Sequence, residues 1–111
     1  MNLIADESEY IESQVKSLMN KHISFENDSF LIHPEFKNEN IVLKRRAVYN
    51  ALLKVFPKGT RLETKTITSV LEATEKSNYT DNIQENYSVH SNKNGVLVQP
   101  MEKYRESRNR I

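Results

Sequence analysis

The sequence predicts an α+β domain, mainly helical: three helices forming a small bundle, with a two-stranded C-terminal hairpin against one end. Three observations carry that expectation. As far as Lys76, apolar residues recur at helical spacing. From Asn78 the period falls to two, with Asn94-Gly95 between the alternating pairs. The chain has 111 residues, 37% hydrophobic and 28% charged, with two glycines and three prolines. That composition suits one domain with a modest core, neither disordered nor fibrous. The domain is expected over residues 1–100, and residues 101–111 form a basic tail or a truncated fourth helix.

The first helix is expected from Ile4 to about Asn20, where Ile4, Ile11, Val15 and Leu18 share a face. Asp6 and Glu7 in its first turn, and Lys16 and Lys21 near its end, suit the helix dipole. His22–Asp28 reads as a turn, and Ser29–His33 as a short apolar run closed by Pro34. Asn40 is the expected N-cap of a second helix, Ile41 to about Phe56, with Ile41, Val48, Leu52 and Val55 on its core face. Pro57-Lys58-Gly59 ends it. A third helix runs from Ile67 to about Lys76, capped by Thr64 or Thr66, with Ile67, Val70, Leu71 and Thr74 inward. Tyr87 and Val89, then Val96 and Val98, mark the two strands, and Gln99-Pro100 stops the second.

Several kinds of chemistry are not provided for. Cysteine is absent, so disulfides and thiolate chemistry are excluded. No apolar run approaches the ~20 residues needed to span a bilayer, and a cytoplasmic location is expected. His22, His33 and His90 are too scattered in sequence for a metal site. Gly59 and Gly95 stand alone and cannot build a phosphate-cradling loop. The chain by itself is expected to be no enzyme and to carry no cofactor.

Charge is distributed unevenly. Residues 1–39 hold eight acids and three lysines, net −5, whereas residues 40–65 hold seven bases against Glu63, net +6. Such a block either binds a polyanion or pairs with the acidic first third. Within the second helix, Arg46, Asn50 and Lys54 fall on one polar stripe opposite the core. Arg45 projects only about 40° from the centre of the apolar face, counting 100° per residue. It is therefore assigned a structural ion pair with the acidic first helix. The candidate phosphate contacts are Lys44, Arg46, Lys54, Lys58 and Arg61. Tyr49 is assigned to the rim of the core.

The order of these features resembles the region that follows the ATP-binding domain in tRNA(Ile)-lysidine synthases. The similarity runs over about residues 3–99. It takes in the acidic helix from Asp6-Glu7-Ser8-Glu9, the helix opening Leu43-Lys44-Arg45-Arg46, the helix of Thr66-Ile67-Thr68-Ser69-Val70-Leu71, and the strand pair Asn86–Val89 with Gly95–Val98. Asn78-Tyr79-Thr80-Asp81-Asn82 stands where the family carries a glycine-containing, often basic stretch. The family's Ser-Gly-Gly-x-Asp-Ser ATP-binding loop is absent from the chain.

The resemblance therefore implies a piece of a larger enzyme, with Met1 an internal methionine or an introduced start. It implies that the parent uses ATP and lysine to convert the wobble cytidine of tRNA(Ile) to lysidine. This piece would bind tRNA(Ile) beside the catalytic domain of the same chain. Duplex RNA is read through phosphates and 2′-hydroxyls, which a basic helix face can supply.

Two other readings compete. In a winged-helix DNA-binding regulator, Thr64–Lys76 would be the recognition helix, but Glu72 and Glu75 there offset Lys65 and Lys76. Exposure of Lys65, Ser69 and Lys76 together beside the hairpin would favour that reading. In an interaction module, the acidic and basic thirds would neutralise each other.

Overall fold

A computed structural model describes residues 3–102, with side chains from Glu9 onward. The side chains of Ile4, Asp6 and Glu7, and the tail from Lys103 to Ile111, lie outside the described residues. The α+β class holds, but the architecture differs from a helix bundle with a hairpin. Three helices cover one face of a five-stranded antiparallel sheet.

Helix α1 (Leu3–His22) buries Val15, Leu18 and His22, a single stripe at helical spacing. It runs directly into β1 (Ile23–Phe25), which turns back as β2 (Phe30–Ile32). These two short strands occupy the segment that the sequence left as a turn and an unassigned run. A 3₁₀ helix (Pro34–Asn38) follows, with Phe36 fully buried against the His22 ring. His22 also meets the Glu39 carboxylate at 2.7 Å, fastening the end of α1 to the end of this turn.

Helix α2 (Ile41–Val55) starts where expected, because the Asn40 side chain accepts from the Val42 and Leu43 amides. Its buried face is displaced. Lys44, Ala47, Val48, Ala51 and Leu52 point inward, while Ile41 is 52% exposed. At 100° per residue the true centre lies about 40° from the one read off the large apolar residues. The two alanines let neighbouring elements approach this side closely, so the larger residues do not define it.

Helix α3 (Thr64–Glu75) begins three residues before the expected Ile67, with Glu63 at the N-cap. Neither Thr64 nor Thr66 caps it. A distant side chain serves instead: Gln84 Oε1 accepts from the Glu63 amide at 2.7 Å and from Thr66 Oγ1 at 2.9 Å, and Gln84 Nε2 donates to Arg61 O. Thr66, Ser69, Val70 and Ala73 are its buried residues, so small and polar side chains face the sheet.

The C-terminal part is a three-stranded meander rather than a hairpin: β3 (Tyr79–Ile83), β4 (Tyr87–Asn92) and β5 (Gly95–Pro100). The turn near Asn94-Gly95 exists, but Lys93 and Asn94 form it and Asn92 pairs with Gly95. Gly95 opens β5 at φ 126°, where a Cβ would strike the carbonyl oxygen of Ile32. That collision would come from β2, which pairs with β5 and joins the two halves into one sheet of order β1-β2-β5-β4-β3. The inward face carries Phe30, Ile32, Val89, Val96 and Val98, and it meets Val48, Leu52, Val70 and Ala73 in one core. Each large side chain buried this way contributes roughly 1.5–3 kcal/mol.

Candidate nucleic-acid interface

The basic block is divided by the fold into one interior cation and a set of solvent-facing ones. Lys44 is buried, 6% exposed, and its ammonium donates to Lys37 O at 3.0 Å and lies 3.4 Å from Glu75 Oε1. It does not belong with the phosphate contacts, because the inward face of α2 is centred on its side. The same rotation carries Arg45 out to solvent, and among the described residues it makes no ion pair with the first helix. Arg46 makes that pair, 2.9 Å from Glu12, with both side chains about half exposed. An exposed pair of this kind contributes little, roughly 0–1 kcal/mol.

Three expected contacts remain on the surface. Lys54 is exposed and holds its ammonium 4.2 Å from the centre of the Phe25 ring. Lys58 and Arg61 are exposed in the connection between α2 and α3. There Thr60 bonds back to Pro57 O through its amide and its hydroxyl, and Gly59 takes φ 90°. The Gln84 amide holds the Arg61 carbonyl at 3.0 Å, so the Arg61 side chain springs from a fixed point. Lys65, which the sequence did not single out as a contact, is 85% exposed, 3.4 Å from Glu63. Among the described residues, Arg46–Glu12 is the one ion pair between the acidic first third and the basic block, and Arg45, Lys54, Lys58 and Arg61 have no carboxylate partner.

The outward face of α2 also carries apolar groups. Val42, Tyr49 and Leu53 are 63%, 42% and 41% exposed and share a stripe flanked by Arg45 and Arg46. Tyr49 thus stands further out than the rim position expected of it.

Each histidine is engaged separately: His22 with Glu39, His33 with Ser24 and His90 with Thr80. No group of three potential metal ligands comes together among the described residues. No helix among them is long and apolar enough to cross a membrane. Ser69 is buried, bonded to Asp81 Oδ2 at 2.7 Å and to the Tyr79 hydroxyl at 3.0 Å, so α3 does not present Lys65, Ser69 and Lys76 as one exposed row. With this geometry in hand, comparison with known proteins adds no relative: no family model and no curated protein matches the chain.

Proposed function

We propose that this chain is a non-catalytic tRNA-binding domain, of the kind that follows the ATP-binding domain in tRNA(Ile)-lysidine synthases. The observation that carries the reading is the solvent exposure of Arg45, Lys54, Lys58 and Arg61, without carboxylate partners among the described residues, in a chain rich in acids. The mutual neutralisation of acidic and basic thirds, on which a purely internal role depends, is limited there to the Arg46–Glu12 pair. Unpaired surface cations release condensed counterions from a phosphate backbone on binding, without needing a base-specific pocket. Adenylation with ATP and displacement by lysine would belong to the catalytic domain of the parent chain.

The test is a titration with tRNA(Ile) and with a non-cognate tRNA at two salt concentrations. Arg45 and Lys54 lie on opposite sides of α2, so three phosphate contacts, from Lys54, Lys58 and Arg61, predict that log K falls with log salt at a slope of about −2 to −3. Preference for tRNA(Ile) would place discrimination in this domain. Absence of binding to either tRNA at low salt would sink the reading.

A second reading, a protein-interaction module, draws on the exposed Val42, Tyr49 and Leu53 stripe. Binding that is insensitive to salt and lost on Tyr49→Ala would favour it.

A further inference from the structure

A second cluster of cations lies outside the basic block altogether. A pocket of about 230 Å³ opens between the start of the 3₁₀ helix, the C-terminal end of α3 and the β4–β5 turn. His33 and Lys37 line it from the first element, Lys76 from the second and Lys93 from the third. Glu75 is the one carboxylate in the lining, and the buried Lys44 ammonium lies 3.4 Å from it. Three exposed lysines thus line a cavity whose only acid already has a cation of its own. Like charges gathered around one space repel one another, and a bound anion removes that repulsion.

The C-terminal end of a helix ordinarily disfavours negative charge. Two carbonyls of the last turns are occupied, Ala73 O by the Lys76 amide and Leu71 O by Thr74 Oγ1, which lessens that penalty without removing it, and the lysine charges have to outweigh the rest. Lys76 places its ammonium 5.0 Å from the centre of the Tyr79 ring, which lies outside the lining, so it reaches an anion in the cavity by leaving that ring. Small-molecule sites usually enclose about 300–1,000 Å³, so this smaller space suits a single charged group rather than a whole nucleotide. Lysine ammoniums act as point-charge donors to phosphate oxygens.

We propose that this pocket binds a phosphate group. The phosphate could be free in solution or part of an RNA backbone, and the chemistry of recognition is shared. The inference does not rest on the tRNA reading, since none of its cations belongs to the exposed set on α2 and the α2–α3 connection.

The test follows backbone amide resonances of the intact chain during titration with inorganic phosphate, with chloride holding ionic strength constant. Saturable shifts at Lys76–Ser77 and Lys93–Gly95 are expected. Lys76→Gln combined with Lys93→Gln should weaken binding by about tenfold or more, while Lys16→Gln, at an exposed position of α1, should leave it unchanged. A short RNA duplex that moves the same resonances, and competes with phosphate, identifies a backbone phosphate as the ligand. A duplex that does not compete identifies free phosphate, and this outcome is independent of whether tRNA binds elsewhere. Absence of saturable shifts in the folded protein, or equal affinity in the double variant, would overturn the proposal.

Discussion

Lys44 and Gly95 show how two single positions are constrained by neighbours far away in the chain. The aliphatic stem of Lys44 lies inside the domain, and its ammonium is satisfied by Lys37 O and Glu75. A lysine in a basic run reads as a surface residue, and nothing local in Leu43-Lys44-Arg45-Arg46 distinguishes the one that turns inward. Gly95 is constrained twice, by φ 126° and by the Ile32 carbonyl in the path of a Cβ. Gly95→Ala should therefore destabilise the domain by about 2–4 kcal/mol, read as a lower denaturant midpoint. Unchanged stability would mean that β5 can shift away from β2 without penalty.

Among the secondary elements, the helices were legible and their orientations were not. The Asn40 cap, Pro57 and the period of the apolar residues located α1 and α2 within a few residues. The inward faces depended on Ala47 and Ala51 in α2 and on Thr66, Ser69 and Ala73 in α3, which carry almost no hydropathy signal. The short strands β1 and β2 gave three residues each, too few to establish a period. Strand β3 was hidden because its middle residues, Thr80, Asp81 and Asn82, are polar and exposed at a sheet edge. The turn after it relies on positive φ at Glu85 and Asn86, without the glycine that signals such turns. Of the candidate site, the exposure of Arg46, Lys54, Lys58 and Arg61 was legible because exposure is the default for charge; the burial of Lys44, the exposure of Arg45 and the pairing of Arg46 with Glu12 were not, because they follow from the helix rotation. Gln84 is the clearest case of a role without a local signal. Gln84→Ala should cost about 1 kcal/mol and speed amide hydrogen exchange at the start of α3. Exchange rates there equal to wild type would show that water caps the helix equally well.

Across the whole molecule, acids and bases nearly cancel in number, with a formal net charge of +1, yet among the described residues only Arg46–Glu12 pairs the acidic first third with the basic block. If the exposed cations grip RNA, Lys58→Glu with Arg61→Glu should weaken tRNA binding and make the salt slope shallower by about 2. Both side chains are exposed, so the unfolding free energy should stay within about 0.5 kcal/mol of wild type. A thermal melt beside the binding titration separates the two effects. Lost binding together with a collapsed melting transition would instead assign these residues to the fold.

The pairing of β2 with β5 has a consequence for how the domain is made. During synthesis the hairpin of residues 23–32 emerges well before the strand it needs for a neighbour, residues 96–98, which lies more than 60 residues further along the chain. Until then a two-stranded ribbon waits with an open edge, and ribbons of that size are marginal in water. Contacts so distant along the chain close slowly. The domain is therefore completed from its far end, and a chain interrupted before residue 96 would leave the first hairpin without the strand that fixes it in the sheet.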